Sequence, residues 1–407
     1  MSAKTRVDFL YPIRQIDPTD SVNRYSKMGS LTNREQFESM TQSDRSCLIL
    51  NSRQSKRPCG VDAWVTATDA AIRKYSTLQY LFLTSIGMNS WELTLHLVNI
   101  HGGRQIITIP PDMNEYGFDS SGDLLREFRL APERTYLHVL TEPDCSKTVP
   151  WSRLRDEFLT EKAQLLVPVS VRPLGRLESL LSSAKHEIDS SFRVQYLKPV
   201  DRVRYDWNQI RLNPHLDELG TFLTHWTRSV FGPPASMDHF DFYDSVQRSG
   251  DYPFSARHIL ERILTEQLVR ASSRFIRRGY RVVSFTALNP SDAVKLMRWR
   301  RRYGYYSFEP YGIAVESSIA ANLGCRPVLY RTIEDFKALQ ESDRPFFQNI
   351  GSESADWQPE AEWRCVGDFD LGEIPVESLR VITYRESEID RLQEKCECEV
   401  IPLTIGD

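Results

Sequence analysis

The chain has 407 residues, 41% apolar and 26% charged, with a formal net charge of −4. This is a globular composition with length for two or three domains. No run reaches the ~18–20 apolar residues of a membrane helix, so no membrane partner is expected. The charge balance excludes nucleic-acid binding by bulk charge but leaves room for a local basic patch.

There are seven cysteines, an odd number, spread along the chain. Met1 to Ser46 lacks the apolar core of a secretory signal, so a reducing, cytoplasmic setting is expected. Cys396 and Cys398 form a C-x-C with no second pair to complete a zinc knuckle, and no metal site is expected. Cys47, Cys325 and Cys365 lie in apolar runs and read as core residues.

In chain order, residues 1–45 are polar and aperiodic and read as an N-terminal arm. Strand-like runs then alternate with helical spacing: a strand at Cys47–Leu50, a helix at 61–75, a strand at Tyr80–Leu83 and a helix at 89–101. Strands at Gln105–Ile109, Thr135–Leu140 and Gln164–Val171 follow, with a short helix at Leu124–Arg129. Apolar strands alternating with helices predict an α/β domain over 46–175, its parallel sheet covered on both faces.

In such sheets ligands bind beyond the carboxyl ends of the strands, near helix N-termini. Two loops fit: Asn51, Ser52 and Arg53 after the first strand, and Ser85, Gly87 and Asn89 after the second. They serve either as a cradle for a nucleotide phosphate or as ordinary turns and caps. These loops, with Gly60 and Pro110, resemble the Rossmann-like SMF/LOG superfamily, which includes the DNA-processing protein DprA and cytokinin-activating hydrolases of the lysine-decarboxylase-like kind. Asn51 stands where that superfamily has glycine, Ile86 interrupts the Ser-Gly step, and the P-G-G-x-G-T-x-x-E motif is absent. The resemblance therefore implies a nucleotide-binding or sensing domain rather than an enzyme.

Residues 176–216 contain Pro199 and Pro214 and lack a period, which predicts a connector. From 217 to 407 the chain reads as α+β. Residues 221–228 read as a short strand or a helix-to-strand segment; the further predicted strands are Arg281–Thr286, Pro310–Glu316, Arg326–Tyr330, Glu362–Val366 and Leu379–Thr383, and a helix is predicted over 255–278. His225, Tyr311 and Glu362 stand on three of these strands. A histidine to hold a ribose or carboxamide, a tyrosine ring to stack on nicotinamide and a glutamate to stabilise an oxocarbenium-like cation would build a site for NAD. Each has a structural alternative: Glu362 can pair with Arg364 along one strand face, and Tyr311 can pack in a core.

Thr224-His225-Trp226-Thr227, Val283-Ser284-Phe285-Thr286, Tyr311-Gly312-Ile313, Gly324 to Tyr330 and Ala361 to Arg364 resemble, in that order, the ADP-ribosyltransferase-like superfamily, especially defence and toxin branches of the DarT and AbiGi kind. The resemblance implies catalytic roles for His225, Tyr311 and Glu362, contacts to NAD from Thr227, Ser284 and Thr286, and NAD as a substrate. The expected function is NAD-dependent ADP-ribosyl transfer or NAD cleavage in a defence or toxin setting. The alternatives are a non-catalytic nucleic-acid-binding or processing accessory and a nucleic-acid base-modifying enzyme.

Residues 257–302 carry twelve basic side chains against three acidic ones. Arg298, Arg300, Arg301 and Arg302 alternate with Trp299, Tyr303, Tyr305 and Tyr306, a mix suited to phosphates and stacked bases. DNA or RNA is therefore an expected partner, beside a solvated face paired within the chain.

Overall fold

The computed structural model describes residues 31–32, 34–140, 149–200, 202–205, 211–234, 236–273, 276–301, 304–350 and 358–406. The chain packs as two units, Met1–Asp201 with Phe231–Pro253, and Arg202–Val230 with Phe254–Asp407. The boundary falls at 201/202 instead of across a connector over 176–216, and the chain returns to the first unit for residues 231–253.

Unit 1 has strands β1 (Leu31–Thr32), β2 (Ser46–Asn51), β3 (Leu81–Ser85), β4 (Arg104–Ile109), β5 (Thr135–Val139), β6 (Leu165–Ser170) and β7 (Glu187–Ile188). All pair in parallel, in the order β1-β5-β4-β3-β2-β6-β7. Its helices are α1 (Arg34–Ser43), α2 (Ala63–Thr77), α3 (Asn89–Ile100), α4 (Ser121–Glu127), α5 (Trp151–Lys162), α6 (Arg176–Ser183) and α7 (His239–Arg248). Every residue of β2, β3 and β6 is buried, as a sheet covered on both faces requires. On one face Leu48, Leu50, Leu83 and Leu166 meet Phe37 of α1, Leu159 of α5 and Leu177 of α6; α2 and α3 also pack on the sheet. Each fully buried leucine contributes about 1.5–3 kcal/mol. Unit 1 is thus a Rossmann-like α/β domain, with its predicted strands within one or two residues of their observed places.

Four helices depart from expectation: α1, α5, α6 at the head of the stretch read as a connector, and α7 in a stretch with no predicted element. α1 lies inside the stretch read as an arm, because Phe37 and Thr41, one helical turn apart, suffice to bury its inner face. α5 escaped the periodicity because its buried face includes Arg155 and Asp156.

Unit 2 is built on β8 (Phe222–Trp226), β9 (Val282–Thr286), β10 (Gly312–Glu316), β11 (Arg326–Pro327), β12 (Glu362–Val366), β13 (Leu379–Thr383) and β14 (Glu399–Pro402), with α8 (Ala256–Glu266). The sheet order is β11-β12-β9-β8-β10-β13-β14. All pairs are antiparallel except β13–β14. The helix predicted over 255–278 stops at Glu266: Gln267 takes a left-handed φ of 51°, and Leu268–Val269 pairs with Phe369–Asp370. The predicted strand 326–330 divides, Arg326–Pro327 joining β12 and Leu329–Arg331 pairing with Phe347–Asn349.

Strand alternation gives the unit 2 sheet two unlike faces. Leu223, Val283, Phe285, Ile313 and Val381 face Leu260 and Leu264 of α8. Trp226, Ala314 and Ile382 lie on the opposite face with Leu216, Leu219 and Met297. Among the described residues no helix is long and apolar enough to cross a membrane.

Candidate functional site

In unit 1 both predicted loops lie at the carboxyl ends of neighbouring parallel strands, β2 and β3. Their polar groups are committed to the protein. Asn51 donates to Thr68 Oγ1 at 3.0 Å and accepts from Ser170 N at 3.2 Å, tying β2 to β6, and Ser52 Oγ accepts from Arg172 N at 2.9 Å, tying together the segments that follow the two strands. Ser85 Oγ donates to Thr108 O at 2.7 Å, and Asn89 Nδ2 donates to Ser55 O. The Arg53 side chain is exposed. Gly87 has a φ of 93°, and a Cβ there would stand 2.5 Å from the Tyr116 ring. Its N–H, a donor that a phosphate at the start of α3 would use, is given to Glu92 Oε1 at 3.1 Å. The other Glu92 oxygen accepts from Tyr243 of α7 at 2.7 Å, and the side chain is fully enclosed. An internal carboxylate thus sits where a helix N-terminus would favour an anion.

In unit 2 the predicted triad does not share a cleft. His225 alternates with Thr224 and Trp226 and lies on the α8 face, its ring edge-on to Phe285. β8 and β9 share one registered pair, Thr224 with Thr286, and His225 Nδ1 bonds Ser284 O at 2.8 Å. The ring therefore completes a strand carbonyl, and burial pushes its pKa down to about 4. Tyr311 is on the same face, its hydroxyl donating to Glu388 Oε1 at 3.0 Å, and burial foremost raises its pKa. Thr227 Oγ1 is held between Ala256 O and Tyr311 O.

Glu362 points to the opposite face. It pairs in register with Thr286, and Arg364 with Ser284, so these four side chains share one side of the sheet. Ser284 Oγ donates to Glu362 Oε1 at 2.7 Å. Arg364 grips both oxygens of Glu362 at 2.9 and 3.0 Å. Arg364 is itself 2% exposed and is anchored on Pro345 O, Phe347 O and Gln348 Oε1. The Glu362–Arg364 pairing is therefore realised, and it also fixes the carboxylate beside Ser284.

Glu360, absent from the sequence reading, completes the arrangement. Its carbonyl accepts from Thr286 Oγ1 at 2.5 Å and its carboxylate from Arg300 Nη2 at 3.4 Å. Burial, then the Glu362 charge, push its pKa up to about 7, while Arg300, Arg228 and Arg298 oppose the rise. Ala361 between the two acids has a left-handed φ of 44°, a conformation costing an L-residue about 1–2 kcal/mol. Thr224 Oγ1 and Trp226 Nε1, buried on this face, have no hydrogen-bond partner. Buried orphans of this kind ask for an explanation, and a bound ligand is one. The E-x-E spacing at the head of a strand was the available signal; Arg228 carried none.

The Arg/Tyr segment divides by role. Trp299–Arg300 and Tyr305–Tyr306 form a two-stranded hairpin. Both tyrosines are buried, with Tyr306 Oη donating to Val203 O, so they do not offer faces for bases. Arg298 and Arg301 are exposed, Arg300 turns to Ser307 and Glu360, and Arg302 and Tyr303 lie outside the described residues. Elsewhere in 257–302, Arg257 pairs with Glu261, Arg262 and Arg270 with Glu266, and Arg281 with Asp368.

No family model matches the chain. No curated protein matches it either. Among solved structures, the molybdenum cofactor carrier protein MCP from Chlamydomonas reinhardtii is similar at 13% identity with a TM-score of 0.25, over 36% of this chain and 74% of that one. A likeness that shallow carries no functional argument; the parallel sheet of unit 1 stands on its own strand pairing.

Proposed function

We propose that unit 2 breaks the nicotinamide–ribose bond of NAD, for hydrolysis or ADP-ribosyl transfer. The observation that carries this reading is the Ser284–Glu362–Arg364 chain on the same sheet face as Glu360 and its arginines. As the glycosidic bond breaks, its electron pair leaves with the nicotinamide nitrogen and positive charge grows on the ribose. Glu362, oriented by Ser284 and Arg364, stabilises that charge and accepts from a ribose hydroxyl. Glu360, with a pKa near the working pH, takes the proton of the attacking water or acceptor. Arg228, Arg298 and Arg300 supply positive charge for the diphosphate. The order of the resembling motifs supports the same assignment, with Ser284, Thr286 and Glu362 retained and His225 and Tyr311 as supports of the opposite face.

The test is incubation of the full chain with labelled NAD, with and without DNA and RNA, following nicotinamide release and label transfer. Release that is lost in Glu362→Gln is expected; no release under any condition overturns the reading. Exposed Arg298 and Arg301 favour a second reading, contact with nucleic-acid phosphates, which predicts binding that weakens steeply with salt. Nucleotide sensing by unit 1 is proposed with it, subject to the Glu92 carboxylate at the start of α3.

A further inference from the structure

Cys396 and Cys398 belong to unit 2, at the α8 side of the sheet, away from the Glu360–Glu362 face. Both line a cavity of about 510 Å³, whose walls include Leu264, Ile313, Leu379 and Val381. Gln393 Nε2 donates to Cys396 O at 2.9 Å and to Cys398 O at 3.0 Å. One amide thus holds both carbonyls and folds the segment between them. Cys396 Sγ donates to Leu392 O at 3.4 Å and to Cys398 O at 3.6 Å, which holds it against the Cys398 residue, and the two thiols interact. Cys396 is partly exposed and Cys398 is 6% exposed.

We propose that Cys396 and Cys398 form a thiol–disulfide exchange site for low-molecular-weight disulfides of the glutathione class, entered through this cavity. The hydrogen bond from Cys396, and more weakly Arg380, hold the Cys398 thiol below its usual range despite burial, whereas Cys396 is pushed up. Cys398, which lines the cavity through which the small disulfide enters, is therefore the attacking sulfur. Its thiolate attacks one sulfur of the small disulfide, whose S–S bond breaks; one thiolate leaves and takes up the proton lost by Cys398. Cys396 turns from the Leu392 and Cys398 carbonyls, gives its proton to solvent and attacks Cys398 Sγ. The mixed disulfide breaks, the second small thiol departs, and the C-x-C disulfide remains. Two protein thiols are oxidised and one small disulfide is reduced to two thiols.

The core holds an internal comparison. Cys325 and Cys365 also interact thiol to thiol, but neither lines the cavity. The experiment treats the full chain with oxidised glutathione, quenches with an alkylating agent and maps the peptides. The expected product is a Cys396–Cys398 disulfide reversed by dithiothreitol, with Cys325 and Cys365 still alkylated as free thiols once the chain is unfolded. Cys396→Ser should accumulate glutathione on Cys398, and Cys398→Ser should react about tenfold more slowly. A persistent glutathione adduct in the unaltered chain, or both thiols left reduced, overturns the proposal. Equal melting temperatures of the two variants separate lost chemistry from lost folding.

Discussion

Ser284 Oγ donates to Glu362 Oε1 at 2.7 Å across antiparallel strands, although the two residues are 78 apart in sequence. The bond orients a carboxylate already gripped by a buried arginine, so charge, direction and position are fixed before any ligand arrives. Glu362→Gln keeps the shape and removes the charge. It should lower nicotinamide release by ~10²-fold or more. It should also cost about 1–3 kcal/mol of stability, because Arg364 loses its counter-charge. Thermal unfolding measured beside the assay keeps the two effects apart, and full activity in a folded variant excludes Glu362 from the chemistry.

Glu360 sets the expected pH dependence. Its folded-state pKa, about 7, lies above its ordinary 4.5, so the folded protein holds this proton more tightly than the unfolded chain. This group's contribution to stability is therefore full below about pH 4.5, declines as pH rises through about 7, and is constant above. Activity that uses Glu360 as a base rises over the same upper limb. Glu360→Gln should flatten both profiles. An unaltered pH–rate limb in that variant removes Glu360 from the proton transfer.

The three described arginines of the hairpin segment should separate. Arg298→Ala and Arg301→Ala, at exposed positions, should weaken nucleic-acid binding and reduce its salt slope by about one per lost phosphate contact. Arg300→Ala, and to a smaller extent Arg298→Ala, should in addition raise the upper pKa of the activity profile, because both arginines oppose the protonation of Glu360, whereas Arg301→Ala should leave it in place. A salt titration and a pH–rate series read these independently. Identical behaviour of the three variants contradicts the division.

Glu92 tests unit 1. Its carboxylate occupies the start of α3 and accepts from Gly87 N and Tyr243 Oη. Glu92→Gln removes the charge that would repel a phosphate there. Binding of nucleoside phosphates, measured by calorimetry, should tighten, with about 1–3 kcal/mol of stability lost from the weakened hydrogen bonds. Unchanged nucleotide affinity in a folded variant places any nucleotide site away from Gly87.

The alternation of apolar runs and helical spacing was legible from Cys47 to Val171 because buried parallel strands leave little room for polar residues. The strands of unit 2 carrying His225, Ser284 and Glu362, and the strand that follows Tyr311, were legible too, since each has enough β-branched and aromatic residues to declare itself. α1 was not, because two contacts decide it, and α5 was not, because a buried Arg155 stacked near Trp91 and Trp151 takes a place that an apolar residue would mark. Sequence order likewise gave no face to His225 or Glu362. Register did: Glu362 stands opposite Thr286, and Thr286 opposite Thr224, so alternation sends the neighbouring His225 to the other side. The residue types alone determined that this chain carries a Rossmann-like α/β unit and a strand-rich second unit with acids and arginines to spare. Only the tertiary structure decided which of them meet, because side-chain direction in a sheet reverses with a single step of register, and no local sequence preference encodes the partner strand.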